Sequence, residues 1–226
     1  MPSTPDHSAE DIARALAEAV VSHRLPPGTR LREEALARVY GVSRTKIRAA
    51  LLMLSKDKLI NIVPDKGAFV SKPDANEARE VYSVRAILET AVAREFVARA
   101  RPADYRRLRE HLKRERAAIA AGTVPLRNQL LSDFHLLLAE IVGNSVLTAM
   151  LRELLARSAV ITALYQTAHD ANCSSQEHEA FLEAAQAGDV ERACALMQEH
   201  LHHTQSALEF ADPDARDGDL VAALLS

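Results

Sequence analysis

Three histidines in the second half of the chain, His135, His178 and His200, fall on three different stretches of helical periodicity. The last two are 22 residues apart, across a helix–turn–helix pair. Neutral imidazoles that converge from facing helices of a bundle suit a divalent transition metal. The chain holds 9 histidines, and scattered histidines more often serve on a surface or in hydrogen bonds, so spacing alone favours that reading over a metal. Arg85 is the other buried-looking polar group. It lies among apolar neighbours on a long helical stretch, with Glu89 one turn further on as a natural ion-pair partner.

A second cluster with chemistry lies near the N-terminus. Ser43 precedes a run with an apolar stripe of Ile47, Leu51 and Leu54, and serves as its N-cap. Thr45 and Arg48 point away from that stripe, and Arg44 stands in the first turn. Arginine can bond guanine O6 and N7 bidentately, while Ser43, Thr45 and Lys46 can hold phosphates. The exposed N-terminal half of a recognition helix carries such residues. Lys66 and Gly67 lie at the tip of a turn between two strand-like runs, LINIV and AFVS, where Lys66 can reach a phosphate or the minor groove.

The elements that must position these groups follow from periodicity and breakers. Ser8 to about Ser22 reads as a helix with Ile12, Leu16, Ala19 and Val20 inward. The stretch HRLPPGTR breaks it. Glu33 to Tyr40 is a second helix, ended by Gly41. With the Ser43 helix and the hairpin, the order is that of a winged helix-turn-helix over residues 1–73. Ser71-Lys72-Pro73 is the joint. Asp74 and Glu77 form a capping pattern that opens a helix running to about Ala100, with Val81, Val84, Leu88, Val92 and Phe96 predicted inward. Further helices are predicted over Pro102–Ala121, Leu126–Val142, Ser145–Thr167, Ser174–Ala187 and Val190–Glu209, with a last short one after Pro213. The fold class is mainly α. An antiparallel bundle of about six helices spans residues 74–226.

Composition agrees with helices: 48% apolar residues, 4% aromatics, no Trp and 7 Gly. Residues 1–73 hold 12 Lys and Arg against 8 Asp and Glu, and the remainder holds 16 against 23. A basic module ahead of an acidic one suits a front end that meets phosphate. No apolar run reaches the ~20 residues that span a bilayer, and the N-terminus has no signal-peptide pattern. The expectation is a cytoplasmic protein with no membrane partner, in which Cys173 and Cys194 remain unpaired.

The stretch LPPGTRLREEALARVYGVSRTKIRAALLMLSKDKLINIVPDKGAFV resembles the DNA-binding domain of GntR-type regulators. The likeness is carried by Pro27-Gly28, Leu36-Ala37, Gly41-Val42-Ser43-Arg44-Thr45, Arg48 with Leu51, and Gly67 with Val70. EAREVYSVRAILETAVA, DFHLLLAEIVGN and EHEAFLEAAQAGDVERACALMQEHL resemble the ligand-sensing (FCD-type) domain of the FadR branch, in its six-helix, VanR-like subgroup. The resemblance implies operator contacts by Arg44, Thr45 and Arg48, assisted by Ser43, Lys66 and Gly67. Lys46 stands where the family has proline and Ala49 where it has glutamate; Lys46 adds a phosphate contact. The resemblance also implies an effector-binding role for Arg85, pairing with a carboxylate, and a metal (Zn or Ni) on His135, His178 and His200. The usual fourth ligand, one turn before the first histidine, is replaced by Leu131, and Asp133 points to another face.

The function expected is therefore a DNA-binding transcriptional repressor, not an enzyme. It acts as a homodimer on a palindromic double-stranded operator and responds to a small carboxylate effector. Two rivals differ in kind. A metal-dependent enzyme on the three histidines would turn over substrate, but no general base stands beside them in the sequence. An effector-independent structural DNA-binding protein would show weak sequence preference and steep salt dependence.

Overall fold

The computed structural model describes residues 7–21, 24–166 and 171–210. The last helix predicted, after Pro213, lies outside the described residues. The chain divides into two compact units. Among described residues, one runs to Pro73 and the other is Asp74–Phe210.

In the first unit, α1 (Ala9–Val21) buries Ile12, Leu16, Ala19 and Val20, the face that periodicity predicted. The helix α2 (Glu33–Tyr40) stops at Gly41, whose φ of 64° is the left-handed conformation that glycine adopts without a Cβ clash. The next helix, α3 (Arg44–Lys56), starts at Ser43, whose side chain accepts from the Lys46 N–H at 3.3 Å. Ile47, Ala50, Leu51 and Leu54 of α3 are buried, and α3 packs on α1 and α2.

The wing consists of β2 (Ile60–Val63) and β3 (Gly67–Val70), antiparallel with Ile60 opposite Val70. A further strand, β1 (Arg30–Leu31), pairs with the other edge of β3, so the sheet order is β1-β3-β2. The sequence reading placed Arg30 in the preceding turn. Two residues are too few to show alternation, and β1 exists through its partner rather than its own pattern.

The second unit contains α4 (Ala75–Arg99), α5 (Pro102–Ala120), α6 (Val124–Val142), α7 (Ser145–Tyr165), α8 (Ala171–Gln186) and α9 (Val190–Ser206). Asp74 caps α4 by accepting from the Glu77 N–H at 2.7 Å. The core gathers Phe96 of α4, Leu108 and Leu112 of α5, Phe134 and Leu138 of α6, Leu151 of α7, Phe181 of α8 and Met197 of α9. With the first unit's three helices, nine helices are present among the described residues.

On α4 the buried face agrees with the prediction at Val81, Val92 and Phe96 and departs from it in the middle. It runs through Ala78, Val81, Tyr82, Arg85, Glu89, Val92, Ala93 and Phe96, while Val84 is exposed and Leu88 half-buried. Two charged residues occupy the inward stripe. Apolar periodicity cannot register them, so it drifted by one position to Val84 and Leu88.

Candidate functional sites

The residues of α3 and the wing singled out from the sequence are arrayed on the outside of the first unit. Ser43, Arg44, Thr45, Arg48, Lys66 and Gly67 are exposed and Lys46 is half-buried. Glu33 of α2, named from the sequence only as the start of that helix, organises the two arginines. Both of its carboxylate oxygens accept from Arg48 Nε at 2.9 Å, and Oε2 also accepts from Arg44 NH2 at 3.1 Å. Glu34 Oε1 accepts from Arg44 NH1 at 3.1 Å. The guanidinium groups remain over half exposed, at 52% for Arg44 and 63% for Arg48. The Arg48 guanidinium holds the Glu33 carboxyl below its ordinary range. Such a clamp fixes side chains that would otherwise sample many rotamers, which lowers the entropy lost on binding.

The wing tip has its own brace. Arg30 NH2 donates to the Lys66 carbonyl at 2.9 Å, and its guanidinium lies 5.8 Å from the Phe69 ring centroid. Gly67 has a φ of 101°, a conformation unfavourable to any residue with a Cβ.

In the second unit, α6, α8 and α9 bring His135, His178 and His200 together in the interior. Their exposures are 4%, 1% and 5%. One nitrogen from each ring falls within 4.8 Å of the others. His200 Nε2 and His135 Nε2 are 3.2 Å apart, and His178 stacks on Phe134 with centroids 3.9 Å apart. Burial lowers the pKa of His135 and of His200, which favours neutral, lone-pair-bearing rings.

Behind the histidines stand three acidic groups. Glu89 faces His135, Glu115 faces His178 and Glu177 faces His200. Burial alone would raise the Glu89 carboxyl, but the charge of Arg85, with His135 beside it, outweighs burial and keeps Glu89 ionised. Glu115 is held down in the same way by His178 and His111. Sequence reasoning noted Glu89 only as a partner for Arg85 and missed Glu115 and Glu177. A histidine at i, i+4 from Glu115 (His111) was the one local signal available.

Arg85 is 4% exposed. Its Nε donates to Glu89 Oε1 at 2.7 Å and its NH1 to Ser158 Oγ at 3.1 Å. The ion pair and the placement near the histidines therefore occur together. Arg85, Leu131, His135, Ser158, His178 and His200 line one cavity of ≈ 60 Å³. Leu131 stands in that wall, one turn before His135, and contributes no donor atom.

The histidines fit a metal on two counts. Tetrahedral zinc with Zn–N bonds of ~2.0–2.1 Å separates its nitrogen ligands by roughly 3.3–3.4 Å, close to the 3.2 Å between His135 and His200. His178 Nε2 is buried without a hydrogen-bond partner, as an unfilled ligand atom is.

Comparison with known proteins agrees with this architecture. Residues 8–70 match the bacterial regulatory proteins of the gntR family, and residues 80–203 match the FCD domain. The HTH-type transcriptional repressor RspR of Escherichia coli (strain K12) is 30% identical over 132 residues, a match spanning 58% of each chain. The Uxu operon regulator of Haemophilus influenzae is 27% identical over 195 residues, 78% of this chain and 72% of that protein. Among solved structures, a putative transcriptional regulator GntR from Rhodococcus sp. RHA1 superposes with a TM-score of 0.68 at 24% identity, over 88% of this chain and 95% of that one. These relatives carry the names of transcriptional regulators, not of enzymes. No described helix is long and apolar enough to cross a membrane. The chain belongs to the GntR family of bacterial transcriptional regulators, with an FCD domain as its second module.

Proposed function

We propose that this regulator is a homodimeric repressor whose hold on a palindromic operator is set by a small organic acid bound in the FCD domain beside a metal. The carrying observation is that Arg85 and the three inward-facing histidines line one cavity. Its 60 Å³ is several times the ~10–15 Å³ that a single water needs, which suits an acid of few heavy atoms. Arg85 offers the acid its guanidinium. His135, His178 and His200 would hold the metal. When bound, a divalent transition metal such as Zn or Ni supplies positive charge and open coordination positions. Leu131 leaves the protein's share at three neutral nitrogens, so an anion is the natural completion.

On the DNA side, Arg48, Arg44 and Thr45 read base edges from the groove. Ser43, Lys46, Lys66 and the Gly67 backbone hold phosphates. Repression is favoured by the likeness to RspR, itself named a repressor. Dimerisation is favoured by apolar side chains left outside the second unit, among them Ile87 at 68% exposure on α4 and Val146 and Met150 at 68% and 52% on α7. The acid acts by binding the DNA-competent and DNA-incompetent dimers with different affinity. A bacterial cytoplasmic setting follows from this role.

The test is to select an operator from random duplex DNA with the purified metal-loaded protein. Its affinity is then measured with and without small carboxylic acids such as acetate, pyruvate and malonate. A tight, sequence-selective complex weakened by one of these acids is expected. Weak, unselective binding that no acid alters would refute the reading.

A further inference from the structure

The three histidines turn their Nε2 atoms toward one another and their Nδ1 atoms outward, each to a different glutamate. His135 Nδ1 is 2.5 Å from Glu89 Oε2. His178 Nδ1 is 3.2 Å from both oxygens of Glu115. His200 Nδ1 is 2.7 Å from Glu177 Oε2. The glutamates come from α4, α5 and α8, so three separate helices contribute.

A ring lone pair and a carboxylate oxygen repel at these distances. Each Nδ1 must therefore carry a proton, which leaves His178 Nε2 bare, while the Nε2 atoms of His135 and His200, 3.2 Å apart, need one proton or one cation between them. The His135 contact is short but its N–H direction is poorly aligned, since both atoms lack a well-formed hydrogen bond. Misalignment weakens the repulsion between a bare ring nitrogen and an ionised carboxylate oxygen, but at 2.5 Å it persists.

We propose that Glu89, Glu115 and Glu177 are positioning residues, a collar that locks each imidazole in the Nδ1–H tautomer so that three Nε2 lone pairs converge on one cation. The inference rests on the reading that this site takes a metal. Each glutamate is anchored in turn by a second donor. Arg85 Nε holds Glu89 at 2.7 Å, and His203 Nδ1 holds Glu177 at 2.5 Å. His111 Nε2 lies 3.3 Å from Glu115 and 2.8 Å from the Leu130 carbonyl. The anchors matter because a carboxylate free to rotate cannot choose a tautomer for its neighbour. Outer partners of this type sustain metal affinity by fixing ring orientation and raising ligand basicity.

The experiment uses the full chain labelled with 15N-histidine. Ring-nitrogen shifts of the metal-free protein report each tautomer. Co2+ affinity comes from chelator competition, with the cobalt d–d band as a second signal. In the wild type, the Nδ1 of His135, of His178 and of His200 is expected to carry a proton. Glu177 is the least buried of the three glutamates, so Glu177→Ala is the variant that disturbs folding least. It is expected to free His200 from that tautomer and to weaken Co2+ binding roughly 10- to 100-fold. Glu177→Gln, which keeps an acceptor oxygen, should restore part of both.

A deprotonated Nδ1 at any of the three in the wild type overturns the collar, and that reading needs no variant. So does a Glu177→Ala protein with unchanged His200 tautomer and unchanged Co2+ affinity, since a merely structural glutamate would leave both alone. A wild type that binds no Co2+ but shows the tautomers and their release supports the collar and refutes the metal reading.

Discussion

Leu131 and His135 stand one turn apart on α6 and face the same cavity. The family pattern places a ligating side chain at the leucine's position. An apolar residue there caps the protein's donor set at three and leaves Leu131 half-buried against the site. Leu131→Asp restores a carboxylate at the spacing that lets it share a cation with His135. Metal affinity is expected to rise by roughly tenfold or more, a change at least as large as that produced by losing an outer-sphere partner. Chelator competition with Zn2+ measures it. An affinity equal to the wild type's would mean that the fourth position does not face the metal.

The clamp of Glu33 on Arg48 and Arg44 predicts two different phenotypes on DNA. Arg48→Ala removes a base-reading group and should cost about 1–3 kcal/mol of operator binding while relaxing sequence preference at one position per half-site. Glu33→Gln keeps both guanidinium groups but loosens their orientation, so it should weaken selectivity more than it weakens binding to random duplex. Competition binding with operator and scrambled DNA separates the two. Unchanged operator affinity in Arg48→Ala would remove that residue from the interface.

Much of this protein is legible in one dimension. Helical periodicity placed α1 to α9 within a few residues of their ends. The Ser43 and Asp74 caps and the Gly41 stop are local chemistry that needs no tertiary partner. The converging histidines could be proposed because resemblance supplied the pairing that spacing could not. What stayed hidden is acidic. Glu33 meets arginines 11 and 15 residues away, and Glu115 and Glu177 meet histidines of other helices or other faces. A glutamate on an amphipathic helix reads as solvated surface until the fold puts a cation behind it. On α4 that effect misplaced the middle of the buried face, where Arg85 and Glu89 point inward instead of Val84 and Leu88.

The Ser43 cap gives a test of the same helix that bears on stability alone. Its side chain accepts from the Lys46 N–H, one of the donors that α3 cannot satisfy internally. Ser43→Ala should destabilise the chain by about 1 kcal/mol, within a range of about 0.5–2. Ser43→Gly should cost only a few tenths. Urea titration reads both as shifts in midpoint at constant slope. An alanine variant as stable as the wild type would show that water satisfies the helix end equally well.

Arg85 carries two tasks that one substitution cannot separate. It neutralises Glu89 inside the fold, where both side chains are at most 5% exposed, and it presents NH1 beside the cavity through Ser158. Arg85→Ala strands the Glu89 carboxylate and should destabilise the protein by about 3–5 kcal/mol, the scale of breaking a buried pair from one side. Arg85→Lys retains a charge for Glu89 but loses the planar fork that grips a carboxylate at two points. The lysine variant should therefore fold, bind operator as the wild type does, and respond to the acid only at higher concentration. Operator affinity measured across an acid titration distinguishes the cases. An undiminished response in Arg85→Lys and in whatever fraction of Arg85→Ala remains folded would take Arg85 out of effector recognition and leave it the structural partner of Glu89.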